Sequence, residues 1–157
     1  MLLRRVPFTD TAVQRLVEDV QAHYVRIYGG PDDSPVDASE FDEPQGLFVL
    51  GTEDGLGVAM GGWRRRPDLA RLFEGAEVAE VKRMYVAPVG RRRGFARQLL
   101  SFLEDGARQR GVALLVLETG TMQPEAIALY ESAGYHLTVR FGHYADSGLS
   151  RYFAKPL

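Results

Sequence analysis

Apolar residues recur at Val13, Leu16, Val17, Val20, Tyr24 and Ile27. Their spacing of three and four predicts an amphipathic helix, with Thr11 and Gln14 as a capping box and Gly29-Gly30 as the stop. Residues 31–45 show no period and predict a loop. Two short apolar runs follow, Leu47–Leu50 and Gly57–Trp63, joined by Glu53-Asp54-Gly55. An Asp-Gly pair between apolar runs signals a hairpin, because both turn residues need positive φ. A third strand is predicted over Val78–Val86, ahead of Ala87-Pro88. Phe95, Leu99, Phe102, Leu103 and Ala107 then return to helical spacing and stop at Arg110-Gly111. Val112–Leu117 reads as a buried strand. Pro124 opens a helix at the position that tolerates its missing N–H, and Gly134 closes it. Leu137–Ala154 is expected to hold two more strands.

The order is helix, hairpin, strand, helix, strand, helix, strands. It predicts a mixed α/β (α+β) domain whose third strand, second helix and fourth strand form its centre. At 157 residues the chain is expected to form one domain, 1–157. Its 45% hydrophobic and 25% charged residues exclude a disordered chain. The net charge of −2 argues against nucleic acid as a partner, since neutralising phosphates takes a basic excess. No apolar run approaches the roughly 20 residues of a membrane span, and the N-terminus has no secretory pattern. A soluble, cytoplasmic protein with no membrane partner is expected. With no cysteine, the chain has neither a thiolate metal site nor a thiol nucleophile. Only Lys82 and Lys155 among the 19 basic residues are lysine, so anion sites would rest on guanidinium groups.

Several patterns carry little. Gly55, Gly57 and Gly61 resemble a dinucleotide fingerprint, but the spacing is wrong and a strand follows. His23, His136 and His143 are isolated, and no metal is expected. Residues 31–45 hold Asp32, Asp33, Asp37, Glu40, Asp42 and Glu43 without a basic residue. They read either as a solvated loop or as a wall that draws a cationic substrate.

The segment after the third strand is different. Arg91, Arg92 and Arg93 stand at the start of a helix, where the macrodipole is already positive. Cations gain there when an anion sits in the turn and collects the arginines and the free backbone N–H groups. Gly94 lets an anion approach the backbone, and Ala96 keeps the next face small.

Arg91-x-x-Gly94-x-Ala96, after a strand ending Met84-Tyr85-Val86, resembles the acyl-CoA motif of the GNAT superfamily of N-acetyltransferases, Gln/Arg-x-x-Gly-x-Gly/Ala. A second block agrees. Gln123-x-x-Ala126-x-x-Leu129-Tyr130-x-x-x-Gly134-Tyr135 is similar to that family's Asn-x-x-Ala-x-x-Leu-Tyr-x-x-x-Gly-Phe/Tyr, with Gln123 replacing the usual Asn. The resemblance covers residues 78–136. It implies the GNAT fold, a mixed and mostly antiparallel sheet flanked by helices, with a strand–helix–strand acyl-CoA site. It implies acetyl-CoA as co-substrate, held by Met84, Tyr85, Val86, Arg91, Arg92, Arg93, Gly94, Phe95, Ala96, Arg97 and Gln123. It also implies a small amine or peptide amine as acceptor and a monomer or homodimer.

Acetyl transfer needs a neutral amine, a stabilised oxyanion and a protonated leaving thiolate. Without cysteine, direct attack in a ternary complex is expected. The resemblance implies that backbone N–H groups near Met84-Tyr85-Val86 face the oxyanion. Tyr130 reads from spacing as a core aromatic, while the resemblance makes it the acid beside the sulfur. Glu80 is the candidate base: strand alternation puts it on one face with Lys82, Met84 and Val86. Its rival role is an ion pair with Lys82 or an arginine. Tyr144 and Asp146 are further candidates for the acceptor pocket. The alternative to an enzyme is a non-catalytic acyl-CoA sensor.

Overall fold

The computed structural model describes residues 1–157. Ten regular elements follow in chain order: β1 (Leu2–Arg5), α1 (Thr11–Tyr28), β2 (Gly46–Glu53), β3 (Leu56–Arg65), β4 (Val78–Val86), α2 (Phe95–Gln109), β5 (Leu114–Gly120), α3 (Pro124–Ser132), β6 (His136–Leu137) and β7 (Ser150–Pro156). Short 3-10 turns lie at Ala38–Phe41, Pro67–Phe73 and Pro88–Gly90. The strands form one sheet in the order β1-β2-β3-β4-β5-β7-β6. Every pairing is antiparallel except β4 with β5.

The β2–β3 hairpin turns where the Asp-Gly pair predicts, with φ of 50° at Asp54 and 78° at Gly55. The α1 start is a correction. Asp10, not Thr11, is the N-cap, and its carboxylate accepts from the Ala12 N–H at 2.9 Å. Gln14 donates instead to the Phe8 carbonyl at 2.6 Å. β1, not expected from the sequence, edges the sheet beside β2.

Strand alternation divides the core between the two faces of the sheet. Leu47, Val49, Trp63, Ala79, Val81, Leu115 and Leu117 pack with Leu99, Leu100 and Leu103 of α2 and Tyr130 of α3. Phe48, Leu50 and Met60 pack with Val13, Leu16 and Val20 of α1. Trp63, Phe48 and Leu99 are at most 1% exposed. Burial of each such side chain contributes roughly 1.5–3 kcal/mol.

Two irregularities shape the centre. β4 and β5 pair only at Val78–Leu114, Ala79–Leu115 and Glu80–Val116, and beyond that point they separate. In β4 the register against β3 shifts between Met60 and Gly62, and Arg83 takes a left-handed φ of 58°. This bulge sets two β4 residues against Gly61. A side chain at Gly61 would meet Met84 Cγ at 2.8 Å, so the glycine makes room for Met84. The bulge also corrects the expected faces. Met84 and Val86 pack toward α2, Tyr85 packs toward α1, and Glu80 and Lys82 no longer share a side with Met84.

Candidate active site

Two cavities open from the separation of β4 and β5. A groove of about 640 Å³ runs between the end of β4, the turn before α2 and the start of α3. A smaller cavity of about 270 Å³ lies between β4, β5, the end of α1 and the loop before β7. Tyr24, Met84, Gln123, Ala126 and Tyr130 line both, so the two communicate at these side chains.

The groove collects most of the residues expected to hold acetyl-CoA. Met84, Tyr85, Val86, Arg91, Arg92, Gly94, Phe95, Ala96, Arg97 and Gln123 all line it. Gly94 has φ 76°, and a Cβ there would meet nothing within 4 Å. No side chain caps α2, so its first N–H groups have no intrahelical partner. Arg91 donates to the Val86 carbonyl at 3.2 Å, and Arg97 donates to Ser132 Oγ at 2.5 Å. Arg92 is exposed and has no hydrogen-bond or ion-pair partner within the chain. An open glycine turn, uncapped N–H groups and a free guanidinium are the donor set a pyrophosphate requires.

Arg93 does not line the groove. Its guanidinium pairs with the Glu53 carboxylate on the β2–β3 turn and lies 4.6 Å from the Phe95 ring centroid. Glu80 is also displaced from the expected site. Arg64 donates to its Oε1 at 3.1 Å and Arg66 to its Oε2, in a polar cleft that adjoins the smaller cavity at Lys82, Glu118 and Tyr144. Both oxygens are occupied, which is the ion-pair alternative.

Tyr130 stands where the cavities meet. The residue is 7% exposed, and its hydroxyl has one contact, Met84 Sδ at 3.8 Å. A thioether is a weak acceptor, so a strong buried donor is left underused. Burial pushes the phenol pKa above its ordinary value, which holds the proton on the oxygen and also makes it a weaker acid toward a thiolate. Its ring packs edge-on to Tyr135 at 5.7 Å, so the core role read from its spacing holds as well.

Glu118 of β5 was not singled out as a catalytic candidate. It lines the smaller cavity, and Ser150 donates to its Oε1 at 2.6 Å. Burial raises its pKa above the usual carboxylate value, against the opposing effects of Ser150 and Lys82. The sequence held a signal for it, a single charge directly after the apolar run Leu114–Leu117 in the same strand.

The loop before β7 closes one side of the smaller cavity. Tyr144 lines the cavity, and its hydroxyl donates to Asp32 Oδ1 at 2.8 Å. Asp146 does not line it. His143 bonds to Asp33 at 3.0 Å. The other loop acids are mostly engaged. Asp37 caps the turn at Ala38–Phe41, Glu40 pairs with Arg64 at 3.0 Å, and Glu43 pairs with Arg110 and Arg5.

A sheet opened between parallel strands, with an arginine–glycine turn at a helix start on one side and a small polar cavity on the other, is an acyltransferase architecture. The Acetyltransferase (GNAT) family profile matches residues 14–135. The IAA acetyltransferase of Azospirillum brasilense is 33% identical over 156 residues, spanning 99% of this chain and 97% of that protein. A crystal structure from Klebsiella pneumoniae, provisionally classed as an acyl-CoA N-acyltransferase, superposes with a TM-score of 0.80 at 29% identity, covering 99% of this chain and 97% of that one. A GNAT acetyltransferase from Elizabethkingia anophelis with acetyl-CoA bound shares the fold, with a TM-score of 0.68, 15% identity and coverage of 99% and 97%. The chain belongs to the GNAT family of acetyltransferases and is an acyltransferase enzyme.

Proposed function

We propose that residues 1–157 form one N-acetyltransferase domain that moves an acetyl group from acetyl-CoA to a primary amine by direct attack in a ternary complex. The observation that carries this is the meeting of the two cavities at the Tyr130 hydroxyl, a buried donor with only a thioether beside it. The larger groove takes the CoA arm, with the pyrophosphate on Gly94, the first N–H groups of α2 and Arg92. Gln123 and Ala126 border the path of the pantetheine.

The backbone of β4 beyond Glu80 has no ladder partner on the β5 side. Its inward N–H groups near Met84-Tyr85-Val86 stabilise the thioester oxygen as it gains charge. Glu118, with its raised pKa, accepts a proton from the incoming ammonium, directly or through one water. It takes the base role in place of Glu80, whose oxygens are held by arginines. The neutral amine then forms the C–N bond. The C–S bond breaks, and the sulfur takes the Tyr130 proton. The second amine proton leaves through cavity water and restores the phenol. The products are the N-acetyl amine and CoA thiol. Lacking cysteine, the chain offers no thiolate to carry the acetyl group in between.

Thiol release from acetyl-CoA across a panel of amines, beside the thermal shift caused by acetyl-CoA, tests this reading. Release with at least one amine is the expected outcome. A thermal shift without release from any amine would make the protein an acyl-CoA sensor.

A further inference from the structure

The charges of the smaller cavity narrow the acceptor, given the acetyl transfer proposed above. Lys82 and Arg83 are sequence neighbours and in a regular strand would face opposite sides of the sheet. The bulge at Arg83 brings both to the same cavity. Arg83 has its counter-ion there, Asp32 Oδ2 at 2.9 Å. Lys82 only shares one at longer range, Glu80, which also serves Arg64 and Arg66. Its ammonium carries three donors and gives one to the neutral Ser34 Oγ at 3.0 Å. The nearest carboxylate oxygen, Glu80 Oε1, lies 3.7 Å away and already accepts from Arg64. The Lys82 side chain is only 12% exposed. A cation so withdrawn from water needs an anion it can hydrogen-bond.

The acidic loop does not supply one. Asp32 and Asp33 are bonded to Arg83, Tyr144 and His143, and Glu40 is bonded to Arg64. Glu118, on β5 across the gap, accepts from Ser150 and makes no ion pair with Lys82. The cavity therefore presents, on β4, an ammonium with no carboxylate within hydrogen-bond distance and, on β5, a carboxylate base. The ligand that satisfies both is a zwitterion, with its amine toward Glu118 and its carboxylate toward Lys82. The cavity holds about 270 Å³ and adjoins the neighbouring cleft at Lys82, Glu118 and Tyr144.

We propose that the acceptor is a free amino acid or a similarly small amine bearing a carboxylate, and that Lys82 reads that carboxylate. This reverses the cationic acceptor that the acidic loop suggests in the sequence.

The test is thiol release with matched acceptor pairs, amino acids against their carboxamides, with kcat/KM expressed per neutral amine. The wild-type protein should prefer the acids by about tenfold or more, the scale of one charge-assisted hydrogen bond. Lys82→Met should reduce that ratio to near one, and Lys82→Arg should keep the preference for acids. A wild-type preference for carboxamides or diamines overturns the proposal, as does an acid preference that Lys82→Met leaves intact. The wild-type ratio alone decides if Lys82→Met does not fold. Carboxamide turnover without acid preference removes only this inference. Failure of every amine removes the transferase reading, and this inference with it.

Discussion

Tyr130 and Glu118 divide the proton traffic by environment. The phenol is enclosed by Tyr135, Phe153 and Met84. Tyr130→Phe keeps the ring and removes only the proton. It should lower kcat by about 10²–10⁴, the span of general acid–base catalysis, with little change in acetyl-CoA affinity. Single-turnover kinetics beside a binding titration separate the two. Glu118 gives a pH signature with a definite sign. As a base with a raised pKa, it makes kcat/KM rise as pH climbs through that value, and Glu118→Gln should abolish the rise. Stability should move the other way. The folded pKa lies above the unfolded one, so ionisation costs folding free energy as pH rises from about 4.3 through the folded pKa. Lys82, Asp32 and Glu80 act on the same carboxylate. Glu118→Gln should therefore melt higher than wild type at neutral pH and lose that advantage near pH ~4. Melting curves at the two pH values check it. A variant less stable at neutral pH would mean that the ionised carboxylate holds the cavity together.

At the scale of elements, the turn before α2 sorts its arginines by what already binds them. Arg93 is committed to Glu53, and Arg92 is free. Arg92→Ala should raise the acetyl-CoA KM by about tenfold, the loss of one hydrogen bond to a charged group. Arg93→Ala should raise it less. Gly94→Val strains a φ of 76° and fills the open space before the first N–H groups of α2, so it should abolish the acetyl-CoA thermal shift. Equal effects of the two alanine variants would mean that both guanidinium groups serve the donor. The same segment shows how far the sequence could be read. The turn was legible because its chemistry is local: three arginines, a glycine and a helix start. The Asp54-Gly55 hairpin and the bounds of β4 were legible for the same reason. The bulge at Arg83 was not. It depends on Gly61 in the neighbouring strand, and one extra residue reverses the faces downstream. That slip hid the meeting of Lys82 and Arg83 in one cavity. β1 escaped because four residues, LLRR, carry no period before their partner strand is known. Glu118 escaped because its cavity is built by β4, α1 and the loop before β7, contacts no local pattern contains.

Across the whole molecule, the sheet is two halves joined by a short seam. β1 to β4 form one half and β5 to β7 the other, with only three β4–β5 residue pairs between them. The ladders on either side of the seam are longer, six pairs between β3 and β4 and seven between β5 and β7. The gap that admits the donor therefore removes backbone hydrogen bonds from the middle of the sheet, where a continuous ladder would be most protected. The pantetheine of bound acetyl-CoA would fill that gap, and its pyrophosphate would anchor at α2. Both halves would then be tied to one ligand. Any ligand that binds only the folded state stabilises by RT ln(1 + [L]/Kd), about 2.7 kcal/mol at a hundredfold excess over Kd. For a domain of this size, that corresponds to a rise in Tm of roughly 5–11 °C. The location of the effect is the sharper expectation. Amide exchange should slow most at Lys82–Val86 and Leu117–Gly120, the two strand ends that face each other without pairing, and little at the β2–β3 hairpin. CoA without the acetyl group should give nearly the same protection, because the arm and not the acetyl unit spans the gap. Protection confined to the turn at Arg91–Gly94 would mean that the ligand binds by its phosphates alone and leaves the seam open.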